Sequence, residues 1–121
     1  MFHLNESSGI PVYLQLREQI LHAISRGELK AGDQLPTVRE VAVDLSINPN
    51  TVNRAYAELE RDGFLRSTRG RGTFIAELAM RTGTPKRKDR LDDIGKRALA
   101  EARAFGFTAD ELISSIKRAG S

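Results

Sequence analysis

The stretch NPNTVNRAYAELER, Asn48 to Arg61, reads as one short helix with defined ends. Asn48 is a capping residue whose side-chain oxygen accepts from the first free N–H groups. Pro49 suits the first helical position, where its missing N–H has no partner. Gly63, just past the end, accepts the left-handed conformation that stops a helix. At 100° per residue, Val52, Ala55, Tyr56 and Leu59 share one face, and Asn50, Asn53, Arg54, Ala57 and Arg61 share the other. With Thr51, that outer face opens on short amides and a hydroxyl beside an arginine. Such groups hydrogen-bond to base edges and phosphates in a DNA major groove. Taken alone, a solvated face near a helix cap is the simpler reading. The neighbouring segments shift the balance.

Upstream, Thr37-Val38-Arg39-Glu40 is a capping box, in which Thr37 bonds a first-turn amide and Glu40 reaches back to the cap. It opens a short helix to about Leu45 that buries Val38, Val41, Ala42 and Leu45. Ser46-Ile47 is a tight turn into the Asn48 helix. Two short helices so joined form a helix-turn-helix, which places its second helix in the major groove. An earlier helix runs from Ile10-Pro11 to about Arg26, with Gly27 as its stop. Tyr13, Leu16, Ile20, Ala23 and Ile24 mark its buried stripe, widened by Leu14 and Leu21. His22 is expected among these apolar positions, as a structural histidine and not a metal ligand. Between the helices, GELKAGDQLP is turn-rich, with Leu29 and Leu35 anchoring a very short strand. Met1 to Gly9 reads as a polar, partly mobile arm.

Downstream, Phe64-Leu65 and Thr73-Phe74-Ile75 read as two strands, with Arg-Gly-Arg-Gly reversing the chain between them. After a helix-turn-helix this hairpin is a wing. Arg69 and Arg71 at its tip are placed to reach phosphates or the minor groove. Gly70 and Gly72 allow close backbone approach to DNA, although their role in the turn also accounts for them. Arg66, Arg69 and Arg71 form a local basic cluster that suits either a phosphate footprint or a solvated hairpin surface.

These pieces occur in an order that resembles the winged helix-turn-helix of the GntR family of bacterial transcriptional regulators. The matching motifs are PVYLQLREQI from Pro11, G-x-L-x-x-G-D-x-L-P-T-V-R-E from Gly27, N-x-x-T-V-N-R-A-Y from Asn48, L-x-x-D-G-F-L from Leu59 and G-R-G-T-F from Gly70. The resemblance implies DNA contacts from three places. They are Arg39 early in the second helix; Pro49, Asn50, Thr51, Asn53 and Arg54 in the recognition helix; and Arg69, Gly70, Arg71 and Gly72 in the wing. The residue pattern alone reaches most of these, but leaves Arg39 as an exposed residue able to pair with Glu40 or Asp44. Many family members carry arginines at or near Pro49 and Asn53. Their absence here implies a different base preference or more reliance on the wing and Arg54.

Residues 77–88 read as a linker, with Lys86-Arg87-Lys88 as a solvated basic stretch. A helix follows to Phe105, with Leu91, Ile94, Ala98, Ala102 and Phe105 on one stripe, and Gly106 stops it. Thr108-x-x-Glu111 opens a last helix carrying Leu112, Ile113 and Ile116. These stripes require a partner, either the chain's own first domain or a second chain. The second chain is preferred, because a two-fold dimer reads a pseudo-palindrome. The tail is similar to that of the YtrA subfamily of GntR regulators, with its brief two-helix C-terminal region. The resemblance implies repression, often of neighbouring transporter genes. About 45 residues leave little room for a ligand pocket, so an effector, if one acts, is expected at the dimer interface or against the linker.

The expected architecture is therefore mainly α with a small β-hairpin (α+β). Residues 1–76 form the winged helix-turn-helix, 77–88 the linker and 89–121 a two-helix dimerisation region. The 121 residues are 40% hydrophobic and 29% charged, enough for a globular core. The chain contains no cysteine, so disulfides and thiolate metal sites are excluded. No signal peptide or apolar run near 18 residues is present, and a soluble cytoplasmic protein away from membranes is expected. Residues 1–76 are electrically neutral and the net +3 resides in the tail. No catalytic triad, metal-ligand spacing or phosphate loop is found among two histidines and these carboxylates, so neither an enzyme nor a cofactor is expected. Asp92-Asp93 sits near a helix start, where negative charge suits the dipole. The competing readings are a winged-helix protein-interaction module and a non-specific architectural DNA-binding protein.

Overall fold

The computed structural model describes residues 2–77 and 87–120, with the side chain of Arg87 left aside. The expected linker lies almost wholly outside these residues. The chain divides into two compact units between residues 83 and 84.

In the first unit, α1 (Val12–Ser25), α2 (Val38–Leu45) and α3 (Pro49–Arg61) precede an antiparallel hairpin of β1 (Leu65–Thr68) and β2 (Gly72–Ile75). The α3 stripe read from sequence is the centre of the core: Val52, Ala55, Tyr56 and Leu59 are all buried. Around it close Leu16 and Ile20 of α1, Val41 and Ala42 of α2, and Leu35, Leu65 and Ile75. The hairpin enters the core at its base. Leu65 and Ile75 are paired and buried, whereas Arg66 and Phe74, the next pair, face the other way. Gln34 forms an antiparallel bridge to Phe74, and Leu35 N donates to the Thr73 carbonyl at 2.9 Å. The expected short strand is thus a third, minimal edge on the hairpin.

The capping box forms as its spacing predicts, with Glu40 N donating to Thr37 Oγ1 at 3.0 Å and Thr37 N to Glu40 Oε1 at 3.4 Å. The turn between α2 and α3 is closed by Ile47 N donating to the Ala42 carbonyl at 3.0 Å, the six-to-one bond of a left-handed helix stop. Ser46 occupies the left-handed position with φ 54°, a conformation that costs a residue bearing a Cβ roughly 1 kcal/mol. Tyr56 extends from α3 to donate its phenolic proton to the Pro36 carbonyl at 2.7 Å. Burial, and secondarily the negative charge of Glu40, raises its ionisation well above the usual tyrosine range.

Two expectations are corrected. The N-terminal arm is not loose: Phe2 is buried in the core and Leu4 packs against it. Two glutamines of α1 hold the arm's backbone, with His3 N donating to Gln19 Oε1 at 3.0 Å and Asn5 N to Gln15 Oε1 at 2.8 Å. Gln15 Nε2 donates back to the carbonyls of Asn5 and Ile10, at 3.0 and 2.9 Å. His22 is not buried. Its side chain is 64% exposed and lies 3.8 Å from Glu18 one helical turn away. The apolar stripe of α1 is otherwise as read: Leu16 and Ile20 are buried, and Tyr13, Leu14, Leu21, Ala23 and Ile24 are half-buried.

The second unit is a helix pair, α4 (Arg87–Ala104) and α5 (Ala109–Ala119). Phe107 N donates to the Ala102 carbonyl at 2.9 Å across Gly106, and Thr108 with Glu111 completes a second capping box. Ala98, Leu99, Ala102, Ala109 and Leu112 are half-buried. The two helices leave Leu91, Ile94, Phe105, Phe107, Ile113 and Ile116 exposed.

Tyr56 sets an alkaline limit on the first unit. Its folded ionisation lies above the unfolded value of about 10, so its stabilising contribution is intact below that pH and falls as pH rises further. Denaturant unfolding between pH 10 and 11 should show this loss at up to about 1.4 kcal/mol per pH unit beyond the Tyr56→Phe variant. Identical slopes for the two proteins would show that the phenol is not held neutral.

Candidate nucleic-acid interface

The first turn of α3 is fixed by its cap. Asn50 N donates to Asn48 Oδ1 at 2.8 Å, and Thr51 N to the Asn48 carbonyl at 3.0 Å. Pro49, Asn50, Asn53 and Arg54 are exposed, and Thr51 is half-buried. Among the described residues, neither the Asn50 nor the Asn53 side-chain amide has a hydrogen-bond partner. Both therefore remain available to an incoming acceptor or donor. Arg54 is exposed but not loose: its guanidinium carbon lies 3.7 Å from the centroid of the Tyr13 ring on α1.

Arg39 occupies the second position of α2 and is exposed. It forms no ion pair among the described residues. Glu40, one of the partners considered from sequence, turns back to its own helix cap. At the wing tip, Arg71 N donates to the Thr68 carbonyl at 2.9 Å, and Gly70 and Gly72 take φ values of 81° and 120°. Arg69 and Arg71 are exposed with no acidic partner among the described residues. Arg66 lies over the Phe74 ring at 5.2 Å and donates to Thr68 Oγ1 at 3.2 Å.

One residue that the sequence did not single out organises the tip. Gln34 Nε2 donates to the Arg71 carbonyl at 2.9 Å. The same nitrogen would be 2.7 Å from a Cβ added at Gly72, so the glycine admits the brace. Gln34 belongs to a four-residue segment that touches every part of the site. Gln34 holds the wing, Leu35 enters the core, Pro36 receives the Tyr56 hydroxyl, and Thr37 caps α2. A glutamine in a turn-rich connection carries no signal of this role in one sequence.

The contrast among arginines is electrostatic. Arg17 lies 3.3 and 3.4 Å from Glu18 and Asp62, Arg26 3.5 Å from Glu28, and Arg61 3.9 and 3.7 Å from Glu58 and Asp62. Among the described residues, Arg39, Arg54, Arg69 and Arg71 have no carboxylate within such reach. Arg39 on α2, Arg54 on α3, and Arg69 and Arg71 at the wing tip are thus exposed cations of the kind that attracts a polyanion.

A helix-turn-helix with a cationic hairpin wing defines a winged DNA-binding module. Residues 12–75 match the model of the bacterial regulatory proteins of the gntR family. The chain belongs to that family, whose members bind DNA and regulate transcription, which is not an enzymatic activity. It is 40% identical over 111 residues to the uncharacterized HTH-type transcriptional regulator YhcF of Bacillus subtilis, covering 91% of this chain and 90% of that one. It is 37% identical over 117 residues to the HTH-type transcriptional repressor YtrA of the same organism, covering 97% and 90%. Among solved structures, a transcriptional antiterminator from Listeria monocytogenes superposes with a TM-score of 0.81 at 30% identity, over 100% of this chain and 90% of that one. YtrA from Sulfolobus acidocaldarius, a GntR-family transcription factor, gives 0.69 at 33% identity, over 98% and 95%. The AraR DNA-binding domain in complex with operator ORE1 gives 0.53 at 29% identity, over 63% and 93%.

The Gln34 brace and Gly72 should be energetically coupled. Gly72→Ala is expected to cost about 1–3 kcal/mol, from backbone strain and from collision with Gln34. In a Gln34→Ala background the collision is gone and only the strain remains, so the cost should fall without vanishing. Urea unfolding of the four proteins measures this, and strictly additive effects would show that Gln34 does not pack on the tip as described.

Proposed function

We propose that this chain is a homodimeric transcriptional repressor of a pseudo-palindromic operator. In this reading residues 1–76 bind DNA, 77–88 link and 89–121 dimerise. The observation that carries it is the set of uncompensated arginines on the second helix, the recognition helix and the wing. Asn50 and Arg54 read bases in the major groove. Pro49, Thr51 and Asn53 lie against the same groove, Arg39 takes a phosphate, and Arg69 to Gly72 reach phosphates or the minor groove. Repression is supported by the name borne by the YtrA relative. A small-molecule effector, where one acts, has its site at the dimer interface.

Dimerisation is supported by the uncovered apolar stripe of α4 and α5. Leu91 is 67% and Phe105 74% exposed, and Ile94, Ile113 and Ile116 continue the surface. Ala98 and Ala102, half-buried and small, admit close helix approach. A second copy covering this stripe presents two recognition helices to half-sites about one helical turn apart.

Nuclease footprinting upstream of the protein's own gene, in about 150 mM salt with random competitor DNA, tests the reading, since phosphate contacts make affinity steeply salt-dependent. A protected pseudo-palindrome is expected. On that operator Arg54→Ala should cost about 1–3 kcal/mol and relax preference at one position. Uniform weakening on all sequences would make Arg54 a phosphate contact instead. Indifference to sequence would favour an architectural role, and no DNA binding at any promoter an interaction module.

The dimer has its own test in the full-length chain. Ile94→Asp should shift the protein from dimer to monomer in sedimentation and lower operator affinity. A wild-type protein that sediments as a monomer at micromolar concentration, or a variant that remains dimeric, would remove α4 from the interface.

A further inference from the structure

Arg54 has an acid available on its own helix. Glu58 is one turn on, the spacing at which ion pairs form. Yet the Glu58 carboxylate lies 3.9 Å from Arg61, and Arg54 stacks instead on a ring supplied by another helix. Tyr13 is the second residue of α1, half-buried and packed against the core. Its ring is therefore held from beneath, and α1 in turn packs on α3. At 3.7 Å from the ring centroid, the guanidinium carbon is at stacking contact. A second such pair among the described residues, Arg66 and Phe74, is looser at 5.2 Å, and Arg66 also has a hydrogen bond to Thr68.

We infer that Tyr13 is a positioning residue for DNA reading: its ring clamps the Arg54 guanidinium so that the fork of N–H donors faces the groove. The inference rests on the reading of Arg54 as a base contact. The geometry suits it because a guanidinium stacked by its face keeps all its donors in the exposed plane. A carboxylate partner such as Glu58 would occupy those donors, whereas an aromatic ring does not. The attraction between cation and ring also strengthens when DNA expels water from around the pair. A long side chain with many rotamers is thus partly ordered before DNA arrives, and the ordering cost of binding is lowered. Tyr13 reaches the DNA-binding surface from outside the helix-turn-helix. Among the described residues its hydroxyl has no hydrogen-bond partner, so the ring and not the hydroxyl accounts for the contact with Arg54.

The test uses the full-length chain and the duplex enriched from a random library by the wild-type protein, with a scrambled duplex of equal length as control. Tyr13→Leu keeps apolar bulk and removes the ring. It should weaken binding to the enriched duplex about three- to tenfold, with little change on the scrambled one. Its loss of base preference should fall at the position that Arg54→Ala relaxes. In the Arg54→Ala background, Tyr13→Leu should have no further effect, and Tyr13→Phe should bind like wild type. An independent readout needs no DNA: ring-current shifts of the Arg54 side-chain protons in NMR spectra should vanish in Tyr13→Leu and persist in Tyr13→Phe. If Arg54→Ala itself leaves binding unchanged, the base contact and the clamp both fail. If Arg54→Ala weakens binding while Tyr13→Leu is neutral or additive with it, or if the ring-current shifts are absent from the wild type, the clamp alone is overturned.

Discussion

The hydrogen bond from Tyr56 to the Pro36 carbonyl is the contact on which the arrangement of the first unit depends. Tyr56 stands in the middle of the buried α3 stripe, and its ring fills the core while its hydroxyl reaches the segment just ahead of α2. Burial keeps the phenol protonated, so it stays a donor at any ordinary pH. The segment it holds is already restricted. Leu35 precedes a proline and is biased to extended backbone, which lets its N–H reach β2 while its side chain enters the core. One bond therefore fixes α3 against the start of α2 on one side and the root of the wing on the other. The second helix, the recognition helix and the wing thereby share a single reference.

Charge placement on that frame breaks a local rule. Helix N-termini favour acids, and Arg39 sits in the first turn of α2 where it opposes the helix dipole. The chain carries acids in plenty, but they are drawn to Arg17, Arg26 and Arg61. Among the described residues Arg39, Arg69 and Arg71 have no carboxylate partner, which costs a little intramolecular stability and leaves positive charge that an external anion can neutralise. A local rule broken without an evident compensating gain, as at Arg39, is characteristic of binding sites.

The legible parts of this structure were those set by local chemistry. Both capping boxes, the Asn48-Pro49 helix start, the α3 stripe and the glycine-stopped helices follow from residues within a turn of one another. What stayed hidden depends on contacts across long stretches of chain. Gln34 and Arg71 meet because the hairpin folds back, and Tyr13 and Arg54 meet because α1 packs on α3. Neither pairing has a periodicity to betray it. The order of the arm is hidden for the same reason: its polar residues look solvated in sequence, but Gln15 and Gln19 of α1 bond its backbone. His22 lies outside the buried stripe although Leu21 and Ala23 flank it, because burial is decided by what covers the helix.

The second unit presents a different physical problem. Two helices of 18 and 11 residues with only small or half-buried side chains between them remove little apolar surface from water. Chains below about 40 residues seldom fold on such a core without a further source of burial. The capping box at Thr108 and the left-handed stop at Gly106 define where the helices end, but end effects of this kind contribute only about 1 kcal/mol each. The stripe from Leu91 to Ile116 offers the missing burial. A self-complementary patch satisfies it most economically, since one sequence then supplies both surfaces. The same two-fold axis would double the weak reading of one winged module into recognition of a longer site. Stability of the tail and specificity on DNA would then have a common origin.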